Sequence, residues 1–405
     1  MIRFLPLILL VWAALPGLPA TAQTPSPAGW LPRPPVFVPA DSVSVWGYQG
    51  TDPRQLAFAL CPDARVRSFN IDSTHLALRE RIARIARTFM DQRNAVGGGG
   101  DPFADPQGLP AMMQAATFAR LFLLTGQAVW MDAVERSVYN AALHALYRAA
   151  TADSAATATT PGRPAASATA SRDNDLRSAA ETVLAYPGMM LATGDSTLFV
   201  NGYTNATARV PWGGRHFVLD MITYMPRDGN VKLRFMHLPR TGARFRLCLR
   251  LPDWSGWQAL TAGQWADLLG SPECPIYING HEMLPHWCRA DGRGYVVIDH
   301  TWHTGDELFV RLPLPARYVE LPGRHEVCLQ RGPLLYALPG GLAALPAPSG
   351  TDPLRAPFGI DAEAEADFYG FYPLTTVPET SADSPPTCAR PYATADRGTV
   401  DLPLK

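Results

Sequence analysis

The chain has 405 residues, more than the roughly 100–200 of a single domain, so two or more domains are the default. Its apolar share of 47% can fill real cores, while 39 Pro and 33 Gly exceed their usual combined share of roughly 12% and assign much of the chain to turns and linkers. A net charge of -1 supplies no overall attraction for phosphate backbones or anionic lipid, which argues against nucleic-acid binding or a membrane-surface role.

In chain order, Met1-Ile-Arg3 followed by the apolar run Phe4 to Leu15 reads as a secretory signal, too short for the ~20 residues of a spanning helix. Ala20-Thr21-Ala22 is a small-residue cleavage site, so residues 1–22 are expected to be removed and the mature chain to begin at Gln23, secreted or periplasmic and not inserted in a membrane. Residues 23–52 are Pro-rich and read as linker or extended edge, because Pro removes an amide donor and clashes with a preceding helical turn. A helical domain is expected over 53–148. Leu76, Leu78, Ile82, Ile85 and Phe89 recur at helical spacing between His75 and Arg93, and Gly97 to Gly100 end that pattern. A second helix is expected from about Leu109 to Leu124, stopped by Thr125-Gly126, and a third from Val129 to about Arg148.

Residues 149–175 are almost wholly small or polar and read as a disordered linker, since they offer too little apolar surface to offset the entropy of ordering. After a short helix near Ser178 to Leu191 the pattern turns to period two, as in Phe245-Arg-Leu-Cys-Leu-Arg-Leu, Tyr295-Val-Val-Ile and Glu307-Leu-Phe-Val-Arg-Leu. About seven short strands with no helix between them argue for an antiparallel sandwich or jelly roll within 176–345. Residues 346–405 read as an irregular tail. Limited proteolysis inside 149–175 is expected to release a folded β-rich fragment from about Leu176.

The pieces LCLRLPDWSG, IYINGHEM, GYVVIDHTWHTGDELFVRLPLPARYVE and VCLQRGPLLYAL follow one another between Leu247 and Leu338. In this order they resemble the middle β domain of glycoside hydrolase family 127, the β-L-arabinofuranosidase-like proteins. LFLLTG at 121–126, Asp132, Glu135-Arg136 and Tyr139-Asn140 resemble that family's helix hairpin, and AYPGMML with LFVNGY its entry into the β domain. The resemblance implies an (α/α)6 helical barrel followed by the β domain. Here about 125 residues from Gln23 to Tyr147 stand against the roughly 300 that twelve helices need, so an α+β multidomain chain with only a remnant of the barrel is expected.

The resemblance further implies a zinc held by one Glu and three Cys, with one thiolate as nucleophile and a separate Glu as acid/base. Gln107-Gly108-Leu109-Pro110 stands where the Glu and first Cys are expected. Asn174-Asp175-Leu176-Arg177 stands where the adjacent Cys pair should be, and none of the six cysteines (61, 248, 274, 288, 328, 388) are neighbours. Zinc is therefore expected to be absent, with no other cofactor and no metal ligands. Glu326-Val-Cys328 reads as part of a strand. Cys274, His281, His286 and Cys288 match no zinc-knuckle spacing and read as a structural loop. The weak catalytic candidates are Asp101 and Asp105 after the Gly97–Gly100 turn, although turn aspartates commonly cap helices. Among the tryptophans, Trp254 and Trp302 read as core. Trp257, Trp265 and Trp287 are the weak ligand-binding candidates, able to stack on sugar rings from an irregular insert. The expectation is an exported, glycoside-hydrolase-like protein of carbohydrate metabolism, a non-catalytic accessory or glycan binder with carbohydrate as its partner. An active glycosidase using replacement carboxylates and a structural partner of another exported protein are the rival readings.

Overall fold

The computed structural model describes residues 35–46, 56, 60, 109–147, 166–257, 264, 276–282, 288–290, 293–320, 326–337, 356, 358–361, 374–376, 388–391 and 402–403. The signal segment, the helix expected from His75 to Arg93 and the Gly97–Gly100 turn lie outside them.

Helix α1 (Leu109–Thr125) buries Ala115, Phe118, Ala119 and Phe122, the i, i+3, i+4, i+7 stripe of an amphipathic helix. It stops where the sequence places a stop. Gly126 takes φ 64°, its N–H donates to the Phe122 carbonyl at 2.7 Å, and the Thr125 hydroxyl donates back to Leu121 O. Helix α2 (Ala128–Arg136) passes into a π-helical turn, Ser137–Ala142, and regains α geometry to 147. The Phe118 and Trp130 rings stack at 6.1 Å and tie α1 to α2. Helix α3 (Ala166–Met189) ends in the turn holding Pro187 and Gly188. It starts ten residues inside the segment read from composition as a linker. Ala carries the highest helix propensity, and Leu176, Ala179, Ala180 and Val183 give that helix an apolar stripe to bury, a gain that bare composition does not register.

The rest is sheet. The first sheet joins β1 (Val36–Phe37), β3 (Leu191–Gly194), β4 (Thr197–Val200), β8 (Ala243–Arg250), β12 (Tyr295–Trp302) and β11 (Cys288–Ala290) in that order, with β4 and β8 parallel. The second runs β10 (His281–Glu282), β9 (Ile276–Ile278), β13 (Glu307–Arg311), β7 (Asn230–Met236), β6 (Arg215–Thr223), β5 (Ala206–Trp212) and β2 (Val43–Val45). A third is built on β14 (Ala316–Glu320), β15 (Glu326–Arg331) and β16 (Leu334–Ala337), extended by β19 (Cys388–Pro391), β18 (Leu374–Thr376) and β17 (Phe358–Ile360). The strand β20 (Leu402–Pro403) adds to β15. The Pro-rich stretch gives the edge strands β1 and β2, in line with the extended-edge reading, and the tail read as irregular gives β17 to β20. Short edge strands carry too few residues for a period-two pattern to show, and edges are where Pro is tolerated.

The first sheet is covered on both faces. Phe245 and Trp302 meet Phe217 and Phe235 of the second sheet, with Phe235 and Trp302 at 4.2 Å and Phe217 and Phe245 at 5.5 Å. On the opposite face Phe199 and Tyr295 meet Phe122 of α1. The period of two decides which side chains go where. On β8, Phe245, Leu247 and Leu249 turn to the second sheet, and Arg246, Cys248 and Arg250 turn to the helices.

Candidate functional site

That alternation sends Arg250, the last residue of β8, into the helix–sheet junction, where its side chain is 0% exposed. Two carboxylates meet it there. Asp132 and Glu135 are three apart on α2 and share one helix face, at 1% and 3% exposure. Arg250 Nη2 donates to Glu135 Oε1 at 2.5 Å and its Nη1 to Asp132 Oδ1. The second oxygen of Glu135 accepts from the Trp254 indole N–H at 2.8 Å, and the Tyr203 hydroxyl donates to the Arg250 carbonyl at 2.5 Å.

The turn after β8 closes the rim. Pro252-Asp253-Trp254-Ser255 winds into a short 3-10 turn, and Asp253 bonds Arg136, the next residue on α2 after Glu135. One strand end and one helix thus exchange two arginines and three carboxylates. The π-helical turn adds a neutral link, with Asn140 Nδ2 donating to Pro333 O at 2.9 Å and its Oδ1 accepting from Leu335 N–H at 2.8 Å. It couples α2 to the third sheet.

Burial, the largest influence on Arg250, works against its charge, but Glu135 and Asp132 more than reverse this and hold the guanidinium well above its ordinary pKa. Burial likewise pushes the Tyr186 hydroxyl up, with Glu135 adding to it, and it pushes Tyr203 up against the opposing pull of Arg250. The Tyr186 hydroxyl is buried without a hydrogen-bond partner, its ring edge-on to Tyr139 at 6.2 Å. None of these groups can trade protons with a substrate from a sealed position. The centre is built to hold elements together.

Of the residues singled out in the sequence, Asp101, Asp105, Trp265 and Trp287 lie outside the described residues. Trp257 follows the turn at 253–256 and belongs to the core cluster at 9% exposure. Trp254 and Trp302 are buried, as read. Arg250 was not singled out, because an alternating strand assigns its polar side chains to solvent. A signal existed nonetheless: an arginine closing an apolar strand beside Pro-Asp-Trp, and Asp-x-x-Glu-Arg on a helix otherwise buried around its circumference.

Residues 197–314 match the model of the β-L-arabinofuranosidase, GH127 middle domain, so this part of the chain resembles that domain. It runs from β4 through β13 and contains Arg250, Asp253 and Trp254, while Asp132 and Glu135 lie before it. Three solved structures are similar. A GH127 β-arabinofuranosidase shares 18% identity at TM-score 0.52, over 73% of this chain and 49% of its own. A glycoside hydrolase shares 19% at 0.49, over 73% and 51%. A GH127 β-L-arabinofuranosidase from Geobacillus stearothermophilus T6 shares 21% at 0.48, over 72% and 48%. The first establishes a common sheet-rich, multidomain fold, and the chain spans about half the length of each of the three. No curated protein matches the sequence.

Proposed function

We propose that the chain is an exported, non-catalytic relative of the GH127 glycoside hydrolases that serves carbohydrate metabolism as a glycan-binding accessory. In this reading the helices are the remnant of an (α/α)6 barrel and the first two sheets form a sandwich or jelly roll, antiparallel except at the β4–β8 pair. The ring ladder of Phe217, Phe235, Phe245 and Trp302 supports the latter. The observation that carries the functional reading is the sealed state of Asp132 and Glu135. The carboxylates that the hairpin brings to the domain junction are spent on Arg250, at 1% and 3% exposure, where neither a sugar nor an attacking water can reach them.

The donor set does not fit the family's zinc. Leu109 stands at the start of α1, Gln107 lies outside the described residues, Asn174 to Arg177 lie within α3, no two cysteines adjoin in the sequence, and Cys248 is buried in β8. No step is routed through a metal. Metal analysis beside a long-incubation assay on p-nitrophenyl β-L-arabinofuranoside is expected to give neither stoichiometric zinc nor turnover. One equivalent of zinc, or turnover, would overturn the proposal.

A second reading, an active glycosidase using replacement carboxylates, draws on Glu181. Burial lifts this half-exposed α3 carboxyl to about 7 against the opposing pull of Arg177, in the range a general acid uses. Turnover lost on Glu181→Gln, or on changing Asp101 or Asp105 to Ala, would favour it.

A further inference from the structure

Alternation along the second sheet buries one set of side chains, among them Ala208, Leu219, Leu233 and Val310, and turns the alternate ones to the opposite face, where they are half-buried or exposed. Register aligns those outward residues into two rows that cross the strands. One row is polar throughout: Glu307 pairs with Arg234, Arg234 with Asp220, Asp220 with Thr207 and Thr207 with Ser44. The row beside it is largely apolar, with Tyr277 against Phe309, Phe309 against Lys232 and Lys232 against Ile222. It ends on Trp46, whose backbone N–H binds Asn205 O next to β5.

The rows are linked by bonds that hold their polar groups in place. Lys232 Nζ lies 2.8 Å from Glu307 and Arg234 3.7 Å from the same carboxylate. Trp46 Nε1 donates to Thr207 Oγ1 at 2.8 Å, and Thr207 donates to Asp220 at 2.7 Å. Aromatic surface sits at both ends. Tyr277 and Phe309 have ring centroids 6.3 Å apart, and the Trp46 indole is 40% exposed. With about 4.8 Å per strand, the five steps from β9 to β2 separate Tyr277 from Trp46 by about 24 Å.

We propose that this face of the second sheet is the glycan-binding surface, and that its ligand is an uncharged, linear oligosaccharide several sugars long. This rests on the accessory reading above and gives it a site. Within the two rows Lys232 and Arg234 balance Glu307 and Asp220, so the rows themselves carry no net charge, and their paired charges offer donors and acceptors to hydroxyls. A sugar chain has apolar ring faces and hydroxyl-bearing edges. An apolar row beside a polar one matches both, and the aromatic ends present flat faces for the rings.

The test is calorimetric titration of the full mature chain with xylo-, arabino- and mannohexaose, the matching disaccharides, and an oligogalacturonate hexamer as the acidic control. At least one neutral hexaose is expected to bind, about tenfold or more tighter than its disaccharide and the acidic hexamer. Trp46→Ala and Phe309→Ala are each expected to weaken it about tenfold, with far-ultraviolet circular dichroism unchanged. Trp46 is exposed, so that variant remains readable if Phe309→Ala lowers stability. A neutral hexaose that binds both variants as tightly as the parent would overturn this surface and leave the accessory reading standing. Failure of the parent to bind any glycan, on these probes and on an array, would remove both. A dimer that Trp46→Ala dissociates would assign the face to a second copy of the chain and overturn the proposal.

Discussion

Arg250, closing a strand of the family-matched domain, and Glu135, on a helix outside it, share a hydrogen-bonded ion pair of 2.5 Å from which water is excluded. Buried pairs of this kind add little net stability over an apolar isostere, because desolvation cancels most of the attraction. They are unforgiving when half of the pair is lost.

Glu135→Ala is therefore expected to destabilise the protein by about 3–5 kcal/mol, leaving a buried guanidinium with Asp132 alone, and Arg250→Ala by a similar amount. The double variant Arg250→Ala with Glu135→Ala should cost less than the sum of the two single changes, because each single loss already removes the pair, although Asp132 then also loses its cation. Urea denaturation followed by tryptophan fluorescence measures all three. Additive losses in the double variant would show that the pair is not coupled.

The same relationship sets how the chain responds to cleavage. A cut between residues 148 and 165 should leave the two products associated on size-exclusion chromatography, because α1 and α2 remain packed on Phe199, Tyr295 and Arg250. A fragment made from Leu176 onward would lack α1, α2, β1 and β2 and leave Arg250 without its carboxylates. Such a fragment is expected not to fold, contrary to what the sequence pattern suggests. A sharp thermal transition in it would show that the sheets are self-sufficient.

Trp254→Phe keeps an aromatic ring, though a smaller one, and removes the indole donor to Glu135 Oε2, leaving a buried carboxylate oxygen short of a partner. The expected cost is about 1–3 kcal/mol by thermal or urea unfolding. An unchanged melting temperature would mean that the bond is dispensable.

Glu181 makes stability depend on pH in a definite direction. Its folded pKa of about 7 lies above the ordinary 4.5, so the folded state holds the proton more tightly. Its contribution is full below pH 4.5 and falls as pH rises through about 7. The melting temperature should decline across that window, and Glu181→Gln should flatten the decline. An equal slope in the variant would place the dependence elsewhere.

Gly229→Ala is expected to be among the most damaging single changes, at about 4 kcal/mol or more. A Cβ there would lie 1.7 Å from the Leu312 carbonyl oxygen, which accepts no such contact without moving the backbone of β13. Differential scanning calorimetry on the variant would settle the size of the effect.

How much of this was legible beforehand follows from the range of the forces involved. Local patterns determined the stop of α1 at Thr125-Gly126, the period-two strands β4, β7, β8, β12 and β13 and the ordered motifs around Arg250, because caps, turns and alternation act over a few residues. The same reading left β1 and β2 undecided between linker and extended edge and missed the strands of the tail, since segments of two to four residues gain their order from partners far along the chain. It also started α3 late, because the stripe at Leu176, Ala179, Ala180 and Val183 has value only when a neighbour covers it. Arg250, Asp132 and Glu135 show the division most sharply: strand alternation and helix spacing fix which face each side chain takes, but only the packing of α2 on the first sheet decides that those two faces meet. Once they meet, desolvation makes the charges interdependent, and that term exists only in the folded chain.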